Sequence, residues 1–219
     1  MTERPTVPWQ FGAPALDQTT RFASALRRLV GLATSLEEES PVLEELIRTL
    51  EVAEARVSAI APAETAPRVG PEINLAGRVY LDHARHIGAF NPCFPLYEIQ
   101  VDGDAATGAI TFPLAYEGPP GFVHGGFVAV FFDCVIQHHN CDVGRAGKTT
   151  SLIVTYRRPT PLDRPLSFAI RRTEEGGRIN STASLTNAGR VLCEAEMTAV
   201  ASDRDNLPGV SPRRINDAL

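Results

Sequence analysis

Residues 118–133 read Gly-Pro-Pro-Gly-Phe-Val-His-Gly-Gly-Phe-Val-Ala-Val-Phe-Phe-Asp and hold the chain's densest set of residues suited to chemistry. Gly125 and Gly126 open what reads as an almost wholly apolar helix, and Asp133 interrupts it two turns later. An ionised carboxylate in apolar surroundings is costly without a partner, so Asp133 calls for a reason. Glycines at a helix start leave backbone N–H groups unpaired, and these groups and the helix dipole favour developing negative charge. A carboxylate and an oxyanion donor on one short element are the minimum equipment for acyl transfer. Asp133 is therefore read as nucleophile or general base, with Gly125 and Gly126 as oxyanion donors. The structural alternatives are an Asp that caps a loop or pairs with an Arg, and glycines kept small where helix meets sheet.

Further along, Gln137-His138-His139-Asn140-Cys141 is an unusually polar run for the end of such a helix. Cys134, His138 and Cys141 fall at i, i+4 and i+7, which is metal-ligand chemistry on one helix face. Three ligands from one straight face do not converge on a single ion, and no fourth suggests itself, so no metal is assigned. His138 and its neighbours are expected to line an acyl pocket or a subunit interface. Arg145, Lys148, Arg157 and Arg158 flank the segment that follows. They suit phosphate groups of a ligand or, equally, form a solvated rim. Gly144-Arg145-Ala146-Gly147-Lys148-Thr149 lacks the first glycine of a phosphate-binding loop (Asp142 stands there) and precedes a strand, so that reading is rejected.

These groups need elements to hold them. From Asp17 to about Ile60 the pattern is helical. Phe22, Leu26, Leu29, Val30 and Leu36 mark one apolar face, and Leu43, Leu46, Ile47, Leu50, Val57 and Ile60 mark the next, which starts at Ser40-Pro41. Ala61–Pro71, with three prolines, reads as a linker. Strand alternation then appears at Tyr97/Ile99/Val101, Ile110/Phe112/Leu114, Leu152/Val154/Tyr156, Leu166/Phe168/Ile170, Ile179 to Leu185 and Val191 to Ala199. The helix from Gly126 is apolar nearly all round, which predicts burial on every side, and it is the only helix within the strand array. The expected division is 1–71 helical extension and linker, with residues 1–14 poorly ordered; 72–203 sheet domain; and 204–219 tail.

A net charge of −5 argues against a nucleic-acid partner. With 43% hydrophobic and 21% charged residues the composition is that of a globular protein. No apolar run is long enough for a membrane span, and the N-terminus lacks the apolar core of a signal peptide, so a cytoplasmic protein is expected. Cys93, Cys134, Cys141 and Cys193 are expected as reduced thiols.

The segment resembles the hotdog-fold thioesterases of the phenylacetate-pathway type, whose motif is His-Gly-Gly followed, nine residues after the His, by Asp or Glu. His124 and Asp133 have that spacing. The Gly-Pro-Pro-Gly lead-in resembles one subgroup, and Thr149 to Leu162 resembles the strand after the central helix in those enzymes. The resemblance covers roughly residues 72–202. It implies an α+β hotdog fold, an antiparallel sheet wrapped round one central helix, which is also what the pattern suggests. It implies acyl-CoA as substrate, no cofactor, and a homodimer, in some relatives a tetramer, whose active sites take the donor from one subunit and the carboxylate from the other. By the same resemblance His124 is a residue that shapes the oxyanion site, although a merely structural role reads equally well. Thr149 or Thr150 matches a hydroxyl that holds the attacking water or carboxylate, and aligning Tyr156-Arg157-Arg158-Pro159 with the family's pattern selects Thr149. Several relatives carry Asn six residues before the His, where this chain has Gly118.

The leading expectation is an acyl-CoA thioesterase. The alternative is a non-catalytic acyl-CoA-binding or scaffold protein on the same fold, against which an intact Asp133 argues. A hotdog hydratase is disfavoured because its Asp/His spacing is absent.

Overall fold

The computed structural model describes residues 12–68, 76–144 and 146–202. Its centre is a six-stranded antiparallel sheet in the order β3-β4-β6-β7-β8-β5. The strands are β3 (Tyr97–Asp102), β4 (Ala105–Ile110), β5 (Ala146–Tyr156), β6 (Leu166–Glu175), β7 (Arg178–Asn187) and β8 (Arg190–Ser202). Tight turns at Gly103-Asp104, Gly176-Gly177 and Ala188-Gly189 close the hairpins, each with at least one residue at positive φ. The chain passes from β4 to the far edge strand β5 through the 18-residue helix α4 (Gly125–Asp142). Inward residues of β6 and β7 alternate strictly with exposed ones, so one sheet face is a core surface. The sheet wraps α4, and the expected hotdog arrangement is present.

Packing follows from the apolar pattern of α4. Val128, Phe131, Phe132, Val135 and Ile136 are buried against the sheet. Phe131 makes edge-on contacts with Phe112 (5.6 Å between centroids) and Phe168 (5.3 Å). Each such side chain contributes about 1.5–3 kcal/mol by burial. The expectation that α4 is buried all round is corrected. Phe127 and Val130 are 38% and 50% exposed, and Asp133 and Gln137 on the same stripe are only half-buried. Another correction concerns Phe112 and Leu114: β4 ends at Ile110, Phe112 enters the core from the following loop, and Leu114–Tyr116 is a 3₁₀ turn.

The N-terminal helices form where expected, α1 over Asp17–Thr34 and α2 over Pro41–Ser58. Their packing was left open by the sequence. Helix α1 docks through Ala23 and Arg27, not through its apolar face, and Arg27 donates to the carbonyls of Gly88, Asn91 and Phe94 (2.9 Å to Phe94). Of α2, no residue is buried. Part of the expected linker is a strand: β1 (Glu64–Arg68) runs parallel to β2 (Gly77–Val79). Ala13, at the end of the segment expected to be poorly ordered, is tied to Tyr80 and Asp82 by backbone bonds. The short helix α3 (Ile87–Phe90) precedes β3. Residues 1–11, Arg145 and the tail 204–219 lie outside the described residues.

Candidate active site

The turn before α4 sets its position. Gly118 N–H donates to the Phe122 carbonyl, Phe122 N–H to Pro119, and Gly121 N–H to the Glu117 carboxylate. Val123 then pairs with Thr160 and His124 with Tyr116. A Cβ at Gly118 would stand 2.7 Å from the His124 Cα, so no side chain fits there.

His124 is the N-cap of α4, and its Nδ1 accepts from the Gly126 N–H at 3.0 Å. An accepting Nδ1 places the ring proton on Nε2. The carbonyl of the same peptide, Gly125 O, accepts from the Tyr156 hydroxyl at 2.7 Å. Side chains thus pin the Gly125–Gly126 peptide at both ends. The Gly126 N–H, expected as an oxyanion donor, is committed to this cap, whereas the Gly125 N–H has no acceptor among the described residues. A Cβ on Gly125 would press on the Tyr156 ring at 3.2–3.3 Å, so the absent side chain leaves room for that contact.

Two turns along α4, Asp133 Oδ1 accepts from the Thr149 hydroxyl at 2.8 Å. Thr149 in turn accepts from Gln137 Nε2, also at 2.8 Å, and lies 3.7 Å from the Met197 sulfur. A β-bulge presents it: the β5–β8 register slips between Thr149 and Ser151, leaving Thr150 as the extra residue with its hydroxyl on the Thr198 carbonyl. Thr149, the residue selected from the motif, is therefore the one facing Asp133. In the single chain the group is open to solvent, in contrast to the buried carboxylate anticipated from sequence.

His138, expected at an acyl pocket or subunit interface, lies inside the single chain. It is 1% exposed, with Nδ1 2.8 Å from the Tyr97 hydroxyl and Nε2 3.5 Å from Asp142 Oδ2. Asp142 also pairs with Arg85 at 3.0 Å, and His86 packs edge-on against His138. This is an internal tie between α4, the start of β3 and the loop before it. Burial alone would raise the Asp142 carboxyl, but the His138 hydrogen bond, aided by Arg85, holds it below the ordinary carboxylate value. His139 Nε2 lies 2.8 Å from the Gly103 carbonyl, and burial pushes this imidazole below its ordinary value. Among the described residues no group of three His, Cys, Asp or Glu side chains comes together to hold a metal ion. All four cysteines are free, and burial pushes the Cys134 and Cys141 thiols up to about 12.

The basic candidates do not form one patch in a single chain. Arg157 pairs with Glu194 at 2.8 Å, and Arg158 donates to the Val191 carbonyl at 2.7 Å, both beside Tyr156 and the start of α4. Lys148 is exposed at the other end of β5. Nine strand residues, about 30 Å, separate it from Arg157. Sequence reasoning placed Gln137 only in a polar tract lining a pocket or interface, and used Tyr156 only to align the motif. Gln137 stands four residues after Asp133 on the same helix face, a spacing that could have found it.

None of the family models compared with the sequence matches it. A solved thioesterase superfamily protein shares 29% identity at a TM-score of 0.69, covering 86% of this chain and 97% of its own. A hypothetical thioesterase of Streptococcus pneumoniae TIGR4 with coenzyme A shares 22% at 0.46, covering 49% and 89%. Thioesterase superfamily member 2 of Mus musculus shares 14% at 0.45, covering 48% and 80%. The first likeness bears out both the hotdog fold and the resemblance to hotdog thioesterases. At about 188 of 219 residues it also reaches beyond the sheet domain into the N-terminal part. No helix among the described residues is long and apolar enough to cross a membrane.

Proposed function

We infer that this chain hydrolyses the thioester of an acyl-coenzyme A, with Asp133 in the chemical step and the Gly125 N–H as oxyanion donor. The observation that carries the reading is the Asp133–Thr149 pair, a carboxylate held at one oxygen and open at the other, on the helix whose N-terminus offers an unoccupied N–H. Either Asp133 adds to the thioester carbonyl, giving a mixed anhydride that water then cleaves, or it takes a proton from water as the oxygen adds. In both routes the C–S bond breaks, the electron pair leaves on sulfur, and the thiolate is protonated as free CoA. The N–H at Gly125 faces the charge that develops on the carbonyl oxygen.

The two groups cannot act together within one chain. Eight residues of α-helix separate Gly125 from Asp133, a rise of about 12 Å, whereas both must approach one carbonyl to about 3 Å. Two copies with their α4 stripes apposed and antiparallel bring the donor of one to the carboxylate of the other. The half-exposed Phe127 and Val130 lie on that stripe and would be covered. A homodimer with shared sites follows. Arg157 and Arg158, which follow Tyr156 in the chain, are the residues we assign to the CoA phosphates.

The test is chromatographic detection of free CoA from short, long and aromatic acyl-CoAs with the wild-type protein. Release from at least one class is expected. Binding of acyl-CoA without release would contradict the reading and favour a binding protein.

A further inference from the structure

We propose that Gln137 is a positioning residue of the site, one that fixes the direction of the Thr149–Asp133 hydrogen bond and so leaves Asp133 Oδ2 as the reacting oxygen. The inference rests on the thioesterase reading for its kinetic consequence, but not for the hydrogen-bond order itself.

A threonine hydroxyl has one proton to give and lone pairs to receive. Thr149 Oγ1 lies 2.8 Å from Asp133 Oδ1 and 2.8 Å from Gln137 Nε2. Both contacts can be hydrogen bonds in one way only when Asp133 is ionised: the amide donates to the hydroxyl, and the hydroxyl donates to the carboxylate. With the amide turned round, two acceptors would compete for a single proton, and one short O···O contact would be left without a hydrogen. The Met197 sulfur at 3.7 Å is a weak rival for that proton. Occupying the hydroxyl's lone pair with an amide N–H therefore directs its proton to Asp133. Oδ1 becomes an anchored oxygen, and Oδ2 is left to meet water or substrate.

The surroundings isolate this chain of bonds. From β5 Asp133 faces Thr149 and from β8 the Thr149 hydroxyl faces Met197, neither of which titrates. On its own helix the neighbouring titratable group is Cys134, whose thiol burial keeps protonated. Gln137 reaches Thr149 because i and i+4 share a helix face, so the amide lies alongside the carboxylate it serves.

Three variants test this. Gln137→Leu removes the donor and should lower kcat about tenfold with KM little changed, the scale of one hydrogen bond. In a Thr149→Val background the same substitution should cost less than about twofold, because Gln137 acts through Thr149. Gln137→Glu is the sharper variant. Ionised, it accepts from Thr149 and pulls the proton away from Asp133; protonated, it donates as the amide does. Beside the Asp133 carboxylate the new carboxyl is held above its ordinary value, so its deficit relative to wild type should exceed that of Gln137→Leu at pH 8 and narrow toward pH 5. Additive losses in the two backgrounds, or a Gln137→Glu deficit independent of pH, would overturn the assignment. The same order is read without turnover: relative to wild type, Gln137→Glu should melt lower at pH 8 than at pH 5, while Gln137→Leu should show no such trend. A wild type that hydrolyses nothing but keeps this stability pattern would refute the thioesterase reading and uphold the hydrogen-bond order. Wild-type hydrolysis with no pattern would do the reverse.

Discussion

Tyr156 and His124 hold opposite ends of one peptide bond, and that peptide sets the direction of the donor before it. Tyr156 donates to Gly125 O, His124 Nδ1 accepts from Gly126 N–H, and the Gly125 N–H is left facing outward. Phenylalanine at 156 keeps the ring that packs on Gly125 and removes only the hydroxyl. Tyr156→Phe is therefore expected to lower kcat about tenfold, by releasing one hydrogen bond that orients the oxyanion site, with little change in stability. Steady-state kinetics beside a denaturation curve check this; equal activity would mean that His124 alone holds the turn. The sequence showed part of this site and for a clear reason. Asp133, His124, the glycines and Thr149 stand in a motif whose spacing is visible in one dimension. The hydroxyl of Tyr156 and the amide of Gln137 act across 31 and 12 residues, through contacts that only the fold creates.

At the scale of elements, α4 is both a core helix and the carrier of the site, and its ends are tied down by polar groups. The C-terminal end is held by the His138–Tyr97 and His139–Gly103 contacts and the Asp142–Arg85 ion pair. Burial lowers the affinity of His86 and His139 for protons in the folded chain. Each remains free to gain a proton at its ordinary value once unfolded. Their contribution to stability is thus full above about pH 6.5 and is lost as the pH falls below it. Asp142, held below its ordinary value, contributes in the same sense at lower pH, lost as the pH falls through its folded-state value. Unfolding free energy is expected to fall between pH 7 and pH 5, and His139→Gln, which can still donate to Gly103, should flatten that slope. Denaturant midpoints at the two pH values decide it; an unchanged slope would remove His139 from the account. Periodicity located α1, α2, α4 and five strands of the main sheet, misplaced β4 past its end at Ile110, and missed β1 and β2. It could not say what each apolar stripe would meet. The stripe of α2 has no buried residue, and α1 attaches by an arginine bound to carbonyls, a contact that leaves no hydropathic trace.

For the whole molecule, the decisive feature is that the site is incomplete in one chain. The proposed dimer covers the open stripe of α4 and brings each Asp133 to the Gly125 N–H of the partner, its own lying about 12 Å away along the helix. Val130 is half-exposed on that stripe and outside the buried core cluster, so Val130→Glu should leave the fold intact. It should yield a monomer by analytical ultracentrifugation, with hydrolysis lost in parallel. A monomer that stays fully active would break the shared-site model.

The measurement closest to the central claim is CoA release by Asp133→Asn, compared with the wild type at saturating acyl-CoA, alongside acyl-CoA binding by both. Asparagine keeps the shape and can still meet Thr149, but it carries no charge and no basic oxygen. The account predicts a fall in kcat of about 100-fold or more with binding retained. Hydrolysis at the wild-type rate by Asp133→Asn would contradict it and place the chemistry elsewhere on the molecule.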